Sequence, residues 1–476
     1  MVHAKPLYVN YADMVNYFMR YYSTRNKNLS VNFAEAALSG LAPDGGLFVP
    51  EEIPQYPAAV SSSLGQMNFI DIAFETIKPY VKNNISESAL SDIVQSAFTF
   101  GAPAVYAEDR YIVELFHGPT AAFKDFGARF MARAFSFLRR SEDRPLRILV
   151  ATSGDTGGAV ADGFFDVPGI NVTVLYPLGR VTPLQERQIA GLGKNISAVA
   201  VKGSFDDCQH LVKAALCDEG LKKRMSLSSA NSINISRLIP QAVYYSAAAG
   251  KMRDGKIDID GEATPRFLKI NDQNKKIDLQ KNRKVILCVP SGNFGNLTAG
   301  LYSMKMGAPV ERFIAATNIN KTVPDYLDSG EYLARNSQAT ISNAMDVGAP
   351  SNFERMSSHF SWDEMKRIIL GVSVSDEETR QTIKRVHEKT GYFLDPHSAV
   401  GWNGVDKLTA GKKIESSAAI GILGTAHPAK FSEVVEPLVG SPPVPLTLSK
   451  AMERTVNAKT IPAEFPALLE ILNELN

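Results

Sequence analysis

The segment KVILCVPSGNFGNLTAG, residues 284–300, contains the clearest indication of how this chain folds. Its first half is a short apolar run with β-branched residues, which predicts a buried strand, and LTAGLYSMKM after it predicts a helix. The Gly-Asn turn between them would present free backbone N–H groups and the positive end of a helix dipole to an anion. Gly292 and Gly295 would allow close approach of a phosphate. The segment predicts either a phosphate site or an ordinary strand-to-helix turn.

The alternation of strand and helix continues on both sides of this segment. Upstream, the helix-like runs AVADGFF and TPLQERQIAGL separate short β-rich runs, and the second helix begins at Thr182 with Pro183 in its first turn. Strands that alternate with helices predict βαβ units and a parallel sheet. The predicted strands are RILVAT (147–152), INVTVLYP (170–177), ISAVAVKG (196–203), KVILCVP (284–290), RFIAATN (312–318) and SSAAIGILGT (416–425).

Two regions depart from this alternation. Apolar residues at helical spacing between residues 69 and 98 predict a helical N-terminal region. Residues 250–283 are rich in Lys, Asp, Asn and Gly, which predicts a polar surface insertion.

Composition and charge exclude several classes of function. The 476-residue chain has 51 Lys+Arg and 50 Asp+Glu. The resulting net charge of +1 provides no electrostatic field that would attract nucleic acid. No apolar run reaches the roughly 18–20 residues of a membrane-spanning helix. Cys208, Cys217 and Cys288 form no C-x-x-C pair, which favours reduced thiols and the cytoplasm. Motifs of zinc proteases, P-loops, hydrolase elbows and dinucleotide sites are absent, and no metal site is predicted.

The segment HGPTAAFKDFGARFM, residues 117–131, contains a candidate nucleophile, Lys124. Lys124 follows a Gly-Pro break near the start of a predicted helix, between Phe123 and Phe126. Aromatic neighbours could desolvate the amine and lower its pKa, as Schiff-base chemistry requires. The alternative is a lysine on an amphipathic helix whose ammonium group reaches water.

Three further segments combine small polar residues with a turn. Ser153, Asp155 and Thr156 in ATSGDTGGAV (151–160) suit a carboxylate or a phosphate at a helix start. The segment NSINISR (231–237) could direct amide, hydroxyl and guanidinium groups at an anion, with a helix cap and a solvated arginine as the alternative. In GTAHPAK (424–430), Thr425 ends a predicted strand and Pro428 opens a helix.

In this order, these segments resemble the pyridoxal-phosphate enzymes of fold type II, which include the tryptophan synthase β-like proteins. More closely, the chain resembles the longer bacterial and fungal form of the threonine synthase family, from about Tyr21 to about Phe431. The resemblance implies an α/β fold with two βαβ-rich open-sheet domains and a helical N-terminal region. The matching segments are YYSTRN, GLAPDGGLFVPE, HGPTAAFKDFGARF, ATSGDTGGA, NSINISR, PSGNFGNLTAG, AMDVGAPSNFER, DPHSAVG and TAHPAKF.

The resemblance also implies roles for individual residues. Lys124 would be the catalytic residue, which forms a Schiff base with pyridoxal 5′-phosphate and then moves protons. Thr425 would meet the pyridine nitrogen, and the cofactor phosphate would be held by Gly292, Asn293, Phe294, Gly295 and Asn296. The substrate would be O-phospho-L-homoserine, in contact with Thr152, Ser153, Thr156, Asn231, Ser232 and Arg237.

Two positions depart from the family pattern. Relatives often have an aspartate where this chain has Asn296, and a glycine where it has Asn26 after Ser23-Thr24-Arg25. We expect both changes to be tolerated. His117 and His427 are predicted to be structural histidines and not catalytic groups.

The predicted domains follow from the same resemblance. They are an N-terminal region (1–100, with 1–18 as a possible extension), a large cofactor-binding domain (101–140 and 246–440, with the insertion 250–283), a smaller mobile α/β domain (141–245) and a C-terminal tail (441–476).

The predicted activity is γ-elimination of phosphate from O-phospho-L-homoserine followed by hydration to L-threonine. The alternatives are a related phospho-lyase that releases 2-oxobutanoate and ammonia, and a non-catalytic relative that binds a metabolite. A serine or threonine dehydratase is disfavoured, because the Asn-Ser-Ile-Asn run would have no phosphate to bind. The only predicted partner is this small-molecule substrate, with no nucleic acid and no membrane, and the chain is expected to be a monomer or a homodimer.

Overall fold

The computed structural model describes residues 19–139, 144–255, 283–415 and 417–474. Residues 1–18, the possible extension, lie outside the described residues, and so does most of the predicted insertion 250–283. The part of the insertion that is described begins as the end of helix Ala242–Asp254, which Gly255 caps in a left-handed conformation (φ 63°).

The strands and helices are numbered along the chain. The strands are β1 (Tyr21–Ser23), β2 (Ser30–Val31), β3 (Phe48–Pro50), β4 (Ala104–Ala107), β5 (Arg110–Glu114), β6 (Leu146–Ala151), β7 (Ile170–Pro177), β8 (Ile196–Lys202), β9 (Ser226–Ser229), β10 (Val285–Pro290), β11 (Arg312–Thr317), β12 (Ile369–Ser373), β13 (Ala419–Gly424) and β14 (Ala458–Pro462). The helices are α1 (Phe33–Ser39), α2 (Ala58–Ser63), α3 (Phe69–Val81), α4 (Glu87–Ala97), α5 (Lys124–Leu138), α6 (Asp155–Phe164), α7 (Pro183–Ala190), α8 (Phe205–Cys217), α9 (Glu219–Arg224), α10 (Ile235–Leu238), α11 (Ala242–Asp254), α12 (Gly295–Met306), α13 (Thr322–Ser329), α14 (Phe353–His359), α15 (Trp362–Ile368), α16 (Asp376–Thr390), α17 (Pro396–Ala410), α18 (Ser432–Val439), α19 (Leu446–Met452) and α20 (Phe465–Glu474).

The larger sheet has the strand order β12-β11-β10-β13-β5-β4. Its strands pair in parallel, as predicted, except that the edge strand β4 runs antiparallel to β5. The strand β10 lies inside this sheet and is buried along its whole length, which explains its continuous apolar sequence.

The smaller sheet has the order β14-β8-β7-β6-β9, and all its pairs are parallel. Helix α7 begins as the sequence predicts, because Thr182 and Gln185 form a reciprocal capping box with Pro183 in the first turn. The strand β14 at the edge comes from the segment assigned to a C-terminal tail, and α20 after it buries Leu468 and Leu472 in the core of this sheet.

The N-terminal region contains the predicted helices α3 and α4. It also contains the antiparallel sheet β2-β1-β3, which the sequence analysis did not predict because its strands are only two or three residues long. One large apolar core runs from these helices through both larger sheets, and Ile77, Phe130, Val174 and Leu287 are fully buried in it. Within the described residues, no helix is long and apolar enough to cross a membrane.

Candidate active site

A cavity of about 650 Å³ lies where the carboxyl ends of β6, β10 and β13 come together. Its volume is within the range of sites for small molecules and cofactors. The fold brings all but one of the predicted site residues to this cavity, and the exception is Thr152. The predicted residues that line it are Lys124, Ser153, Thr156, Asn231, Ser232, Arg237, Gly292, Asn293, Phe294, Gly295, Asn296 and Thr425.

The turn that precedes Lys124 is held against the segment after β13. Ala122 and Ala426 form an antiparallel bridge, the N–H of Phe123 donates to the carbonyl of Thr425 (2.9 Å), and the N–H of His427 donates to the carbonyl of Ala121 (3.0 Å). Lys124 is then the first residue of α5. The predicted catalytic lysine and the predicted Thr425 are therefore neighbours through backbone pairing.

Lys124 is half-buried, and its side chain lines the cavity. Its ammonium group is 5.7 Å from the centre of the Phe123 ring. Burial lowers the pKa of Lys124 to about 8; Asp155 opposes this shift, while Arg237 and Lys430 add to it. A larger share of this lysine is the neutral, nucleophilic amine near neutral pH than for an exposed lysine.

The loop after β10 leaves its backbone donors open. Phe294 adopts a left-handed conformation (φ 59°), which is uncommon for a residue other than glycine and turns the chain into α12. The first turn of α12 contains no acidic residue. Within the described residues, no acceptor bonds to the backbone N–H groups of Gly292, Asn293, Phe294, Gly295 or Asn296.

The two asparagine side chains of this loop are used to shape it. Asn293 donates to the hydroxyl of Ser232 (2.6 Å) and accepts from the N–H of Ser351 (2.6 Å). Asn296 donates to the carbonyl of Pro290 (2.8 Å) and accepts from the hydroxyl of Ser291 (2.7 Å). Their contribution to an anion site is therefore through their backbone N–H groups.

The loop after β6 differs, because the side chain of Thr152 binds two of its N–H groups, whereas the N–H groups of Ser153, Asp155 and Thr156 have no acceptor among the described residues. The hydroxyl of Thr152 accepts from the N–H groups of Gly154 (2.9 Å) and Gly157 (2.8 Å) and is buried away from the cavity. Ser153 and Thr156 line the cavity. Thr152 therefore holds the loop in shape, while Ser153 and Thr156 face the cavity.

The segment between Asn231 and Arg237 connects the two loops. The amide of Asn231 exchanges two hydrogen bonds with the backbone of Ala151, and Ser232 contacts Asn293. Arg237 donates to the carbonyl of Ala230 (2.5 Å), while its buried Nε has no partner among the described residues. Burial lowers the pKa of Arg237 to about 10, so that the guanidinium group stays charged at neutral pH.

Two polar groups of the site had no role in the sequence analysis. His397, in DPHSAVG, contacts the carboxylate of Asp395 through Nδ1 (2.7 Å) and accepts from the N–H of Ala344 through Nε2 (3.3 Å). This fixes the segment that packs on Gly292, where a Cβ atom would lie 2.7 Å from Cα of Met345. The second group is Lys430, in TAHPAKF, which forms a buried ion pair with Asp155 (2.8 Å). Both residues lie in segments quoted for the family resemblance, but no local pattern indicated their partners.

The two ends of the cavity are suited to different chemical groups. The amine of Lys124 suits an aldehyde, the open N–H groups of residues 292–296 suit a phosphate, and pyridoxal 5′-phosphate carries both. The chain is a pyridoxal-phosphate-dependent enzyme of fold type II, and the sequence model named "Pyridoxal-phosphate dependent enzyme" matches residues 108–425.

Comparison with known proteins identifies the family. The models "Threonine synthase N terminus" and "Threonine synthase, C-terminal" match residues 20–98 and 398–471. Threonine synthase of Escherichia coli (strain K12) is 39% identical over 458 residues, which cover 95% of this chain and 99% of that protein. The chain belongs to the threonine synthase family and is a pyridoxal-phosphate-dependent lyase.

Solved structures agree with this assignment. The crystal structure of threonine synthase from Escherichia coli has a TM-score of 0.83 and 38% identity, and covers 96% of this chain and 100% of that chain. The structure of threonine synthase with bound pyridoxal phosphate from Brucella melitensis has a TM-score of 0.81 and 32% identity, and covers 96% and 99%. The predictions of fold class, enzyme class and cofactor are confirmed.

Proposed function

We propose that this chain converts O-phospho-L-homoserine and water into L-threonine and inorganic phosphate. The reaction eliminates phosphate from Cγ and then adds water at Cβ. Membership of the threonine synthase family supports this activity. The observation that carries it is the position of Lys124, which faces a cavity between an open anion-binding loop and the buried cation Arg237.

Lys124 is the proposed catalytic residue. With a pKa lowered to about 8 by burial, its neutral amine is available to bond the cofactor and afterwards to accept and return protons at Nζ. Its place at the start of α5, beside Thr425, supports both roles.

The cofactor site is proposed to consist of Lys124, Thr425 and the loop of Gly292, Asn293, Phe294, Gly295 and Asn296. The open N–H groups of the loop would bind the cofactor phosphate at the N-terminus of α12. When bound, pyridoxal phosphate supplies an electron sink for negative charge on the substrate carbons. The hydroxyl of Thr425 would bind the ring nitrogen without requiring it to be protonated, as a carboxylate would.

The substrate site is proposed to consist of two groups of residues on the other side of the cavity. Asn231, Ser232 and Arg237 would bind the phosphate of the substrate, and Arg237 would stabilise the charge that develops on it as it leaves. Ser153 and Thr156 would bind the substrate carboxylate and nearby phosphate oxygens, and Thr152 would hold their loop.

The predicted domain boundaries remain a proposal, supported by the two separate large sheets. We add the strand β14 and helix α20 of the C-terminal segment to the smaller domain, because they pair and pack with its sheet. Closure of this domain over the cavity would exclude water until the hydration step. A cytoplasmic location is supported by the three free cysteines, and the proposed assembly is a monomer or a homodimer.

Product analysis tests the proposed activity. The purified holoenzyme is incubated with O-phospho-L-homoserine, and phosphate, threonine and 2-oxobutanoate are measured. We expect threonine and phosphate in equal amounts, and Lys124→Ala to lower turnover by at least roughly 10³-fold. Dominant 2-oxobutanoate would identify a phospho-lyase. Unchanged turnover by Lys124→Ala, with no visible absorbance from a bound cofactor, would identify a non-catalytic relative.

A further inference from the structure

A fully buried lysine, Lys430, lies in the same polar cluster as Lys124. Lys430 follows β13 of the larger sheet, and its side chain is completely buried. Its ammonium group forms an ion pair with Oδ1 of Asp155 (2.8 Å) and donates to the carbonyl of Thr120 (2.8 Å). Asp155 is the first residue of α6 on the smaller sheet, and Thr120 belongs to the turn that leads to Lys124. Lys430 therefore joins both sheets to the turn that carries the catalytic lysine.

The two acceptors of Lys430 are each shared with a glutamine of α7. Gln185 donates to Oδ1 of Asp155 (3.0 Å), and Gln188 donates to the carbonyl of Thr120 (3.2 Å). The same turn is fixed from the other side by Asp125, which accepts from the N–H (2.9 Å) and the hydroxyl (2.5 Å) of Thr120. Every donor in this cluster is buried, so each bond acts in surroundings of low dielectric constant.

The charge of Asp155 is near both lysines, but its ion pair is with Lys430. Burial alone would raise the pKa of this carboxyl, yet the ammonium groups of Lys430 and Lys124 hold it well below its usual value. An unpaired carboxylate here would attract and stabilise the ammonium form of Lys124. The other charged and titratable side chains around the cluster are Asp125, Arg237, His397 and His427.

We propose that Lys430 is a positioning residue for Lys124. The ammonium group of Lys430 pairs with Asp155, so that Asp155 does not pair with Lys124, and it also fixes the turn before α5. This inference rests on the proposed role of Lys124 as the lysine that bonds the cofactor. It assigns to Lys430 no contact with the substrate. Its effect is to keep the amine of Lys124 neutral and correctly placed.

The signs of two substitutions test this arrangement. Lys430→Met leaves the carboxylate of Asp155 near Lys124 without its cation. This should raise the pH at which Nζ of Lys124 is half-protonated by roughly one to three pH units. Asp155→Asn leaves Lys430 as an uncompensated cation, which should lower that pH. A purely structural role predicts changes in the same direction for both variants, because both remove the same ion pair.

The experiment uses the full-length holoenzyme and follows two quantities from pH 5 to pH 10. These are the visible absorbance of the lysine-bound cofactor and the kcat/KM for O-phospho-L-homoserine. We expect Lys430→Met and Asp155→Asn to move the titration in opposite directions. The double variant, which removes both charges, and Lys430→Arg, which keeps the cation, should each titrate within about half a pH unit of the parent. If Lys430→Met does not fold, Asp155→Asn and the double variant still show in which direction the titration shifts.

A matched control is Lys194→Met, which removes an exposed lysine from an ion pair with Asp166 (2.6 Å) on the smaller domain. It should titrate like the parent. Shifts of the same sign in Lys430→Met and Asp155→Asn, or no shift in either, would overturn the inference. Unchanged turnover of O-phospho-L-homoserine by Lys124→Ala would instead overturn the proposed function on which it rests.

Discussion

Two strand–turn–helix junctions face the cavity, and they differ in the groups that lie at the positive end of the helix. On the smaller sheet, α6 begins with Asp155, and the hydroxyl of Thr152 accepts two of the loop's N–H groups. On the larger sheet, α12 begins with Gly295, and no acceptor among the described residues bonds to the N–H groups of residues 292–296. The first junction has a carboxylate in the first turn of its helix and a side-chain acceptor for two of its N–H groups, whereas the second has neither.

The difference shows that a glycine-rich turn before a helix does not by itself define a phosphate site. Asp155 places a carboxylate in the first turn of α6, and Lys430 pairs with this carboxylate. This ion pair has no net charge, and the junction offers a ligand the hydroxyl groups of Ser153 and Thr156 together with backbone N–H groups. The junction of α12 keeps its positive end uncompensated, which suits the phosphate of a cofactor.

Among the substitutions that test this comparison, the largest effect is expected in the segment that connects the two junctions. Arg237→Ala should raise the KM for O-phospho-L-homoserine by roughly 100-fold, because a charged hydrogen bond to phosphate is worth about 1.5–3 kcal/mol. The dissociation constant of pyridoxal phosphate should change much less. Steady-state kinetics and cofactor titration of the same preparation measure both, with Arg237→Lys as a control that keeps the charge. Equal losses in both would contradict the separation of the two sites.

A carboxylate at the start of α12, like the one at the start of α6, should remove the difference between the two junctions. Gly295→Asp would place a carboxylate at the first position of α12, as Asp155 does in α6, and should weaken binding of pyridoxal phosphate roughly 30-fold, or about 2 kcal/mol. A Cβ atom at this position would lie 3.2 Å from Nδ2 of Asn352, so the shape of the new side chain needs a control. Gly295→Asn has nearly the same shape without the charge. Equal weakening in both variants, measured by fluorescence titration of the cofactor, would show that charge is not the cause.

The internal bonds of the first junction provide the smallest expected effect. Thr152→Val keeps the shape of the side chain but removes the acceptor for the N–H groups of Gly154 and Gly157. We expect the KM for the substrate to rise roughly fivefold, or about 1 kcal/mol, with cofactor affinity unchanged. Thr152→Ser, which keeps the hydroxyl, should resemble the parent in the same kinetic assay. A loss of cofactor affinity in Thr152→Val would show that the two junctions are not independent.

Much of the secondary structure could be predicted because its signals are local. The helical spacing of residues 69–98, the Thr182-Pro183 helix start and the apolar run of β10 are each contained in a few neighbouring residues. The edge strand β14 could not be predicted in the same way, because four of its five residues are at least partly exposed and it is a strand only through pairing with β8.

The amino-acid sequence by itself determined the two series of strands and helices, the glycine turns at their ends and a lysine at a helix start. These depend on side-chain periodicity and on backbone freedom within short segments. Only the tertiary structure decided which helix start has an ion pair beside it, and which of the two lysines is buried in that pair and which faces the cavity. The reason is that Asp155, Lys430 and Thr120 come from distant parts of the chain, and the pKa of a buried group is set by the neighbours that packing brings to it.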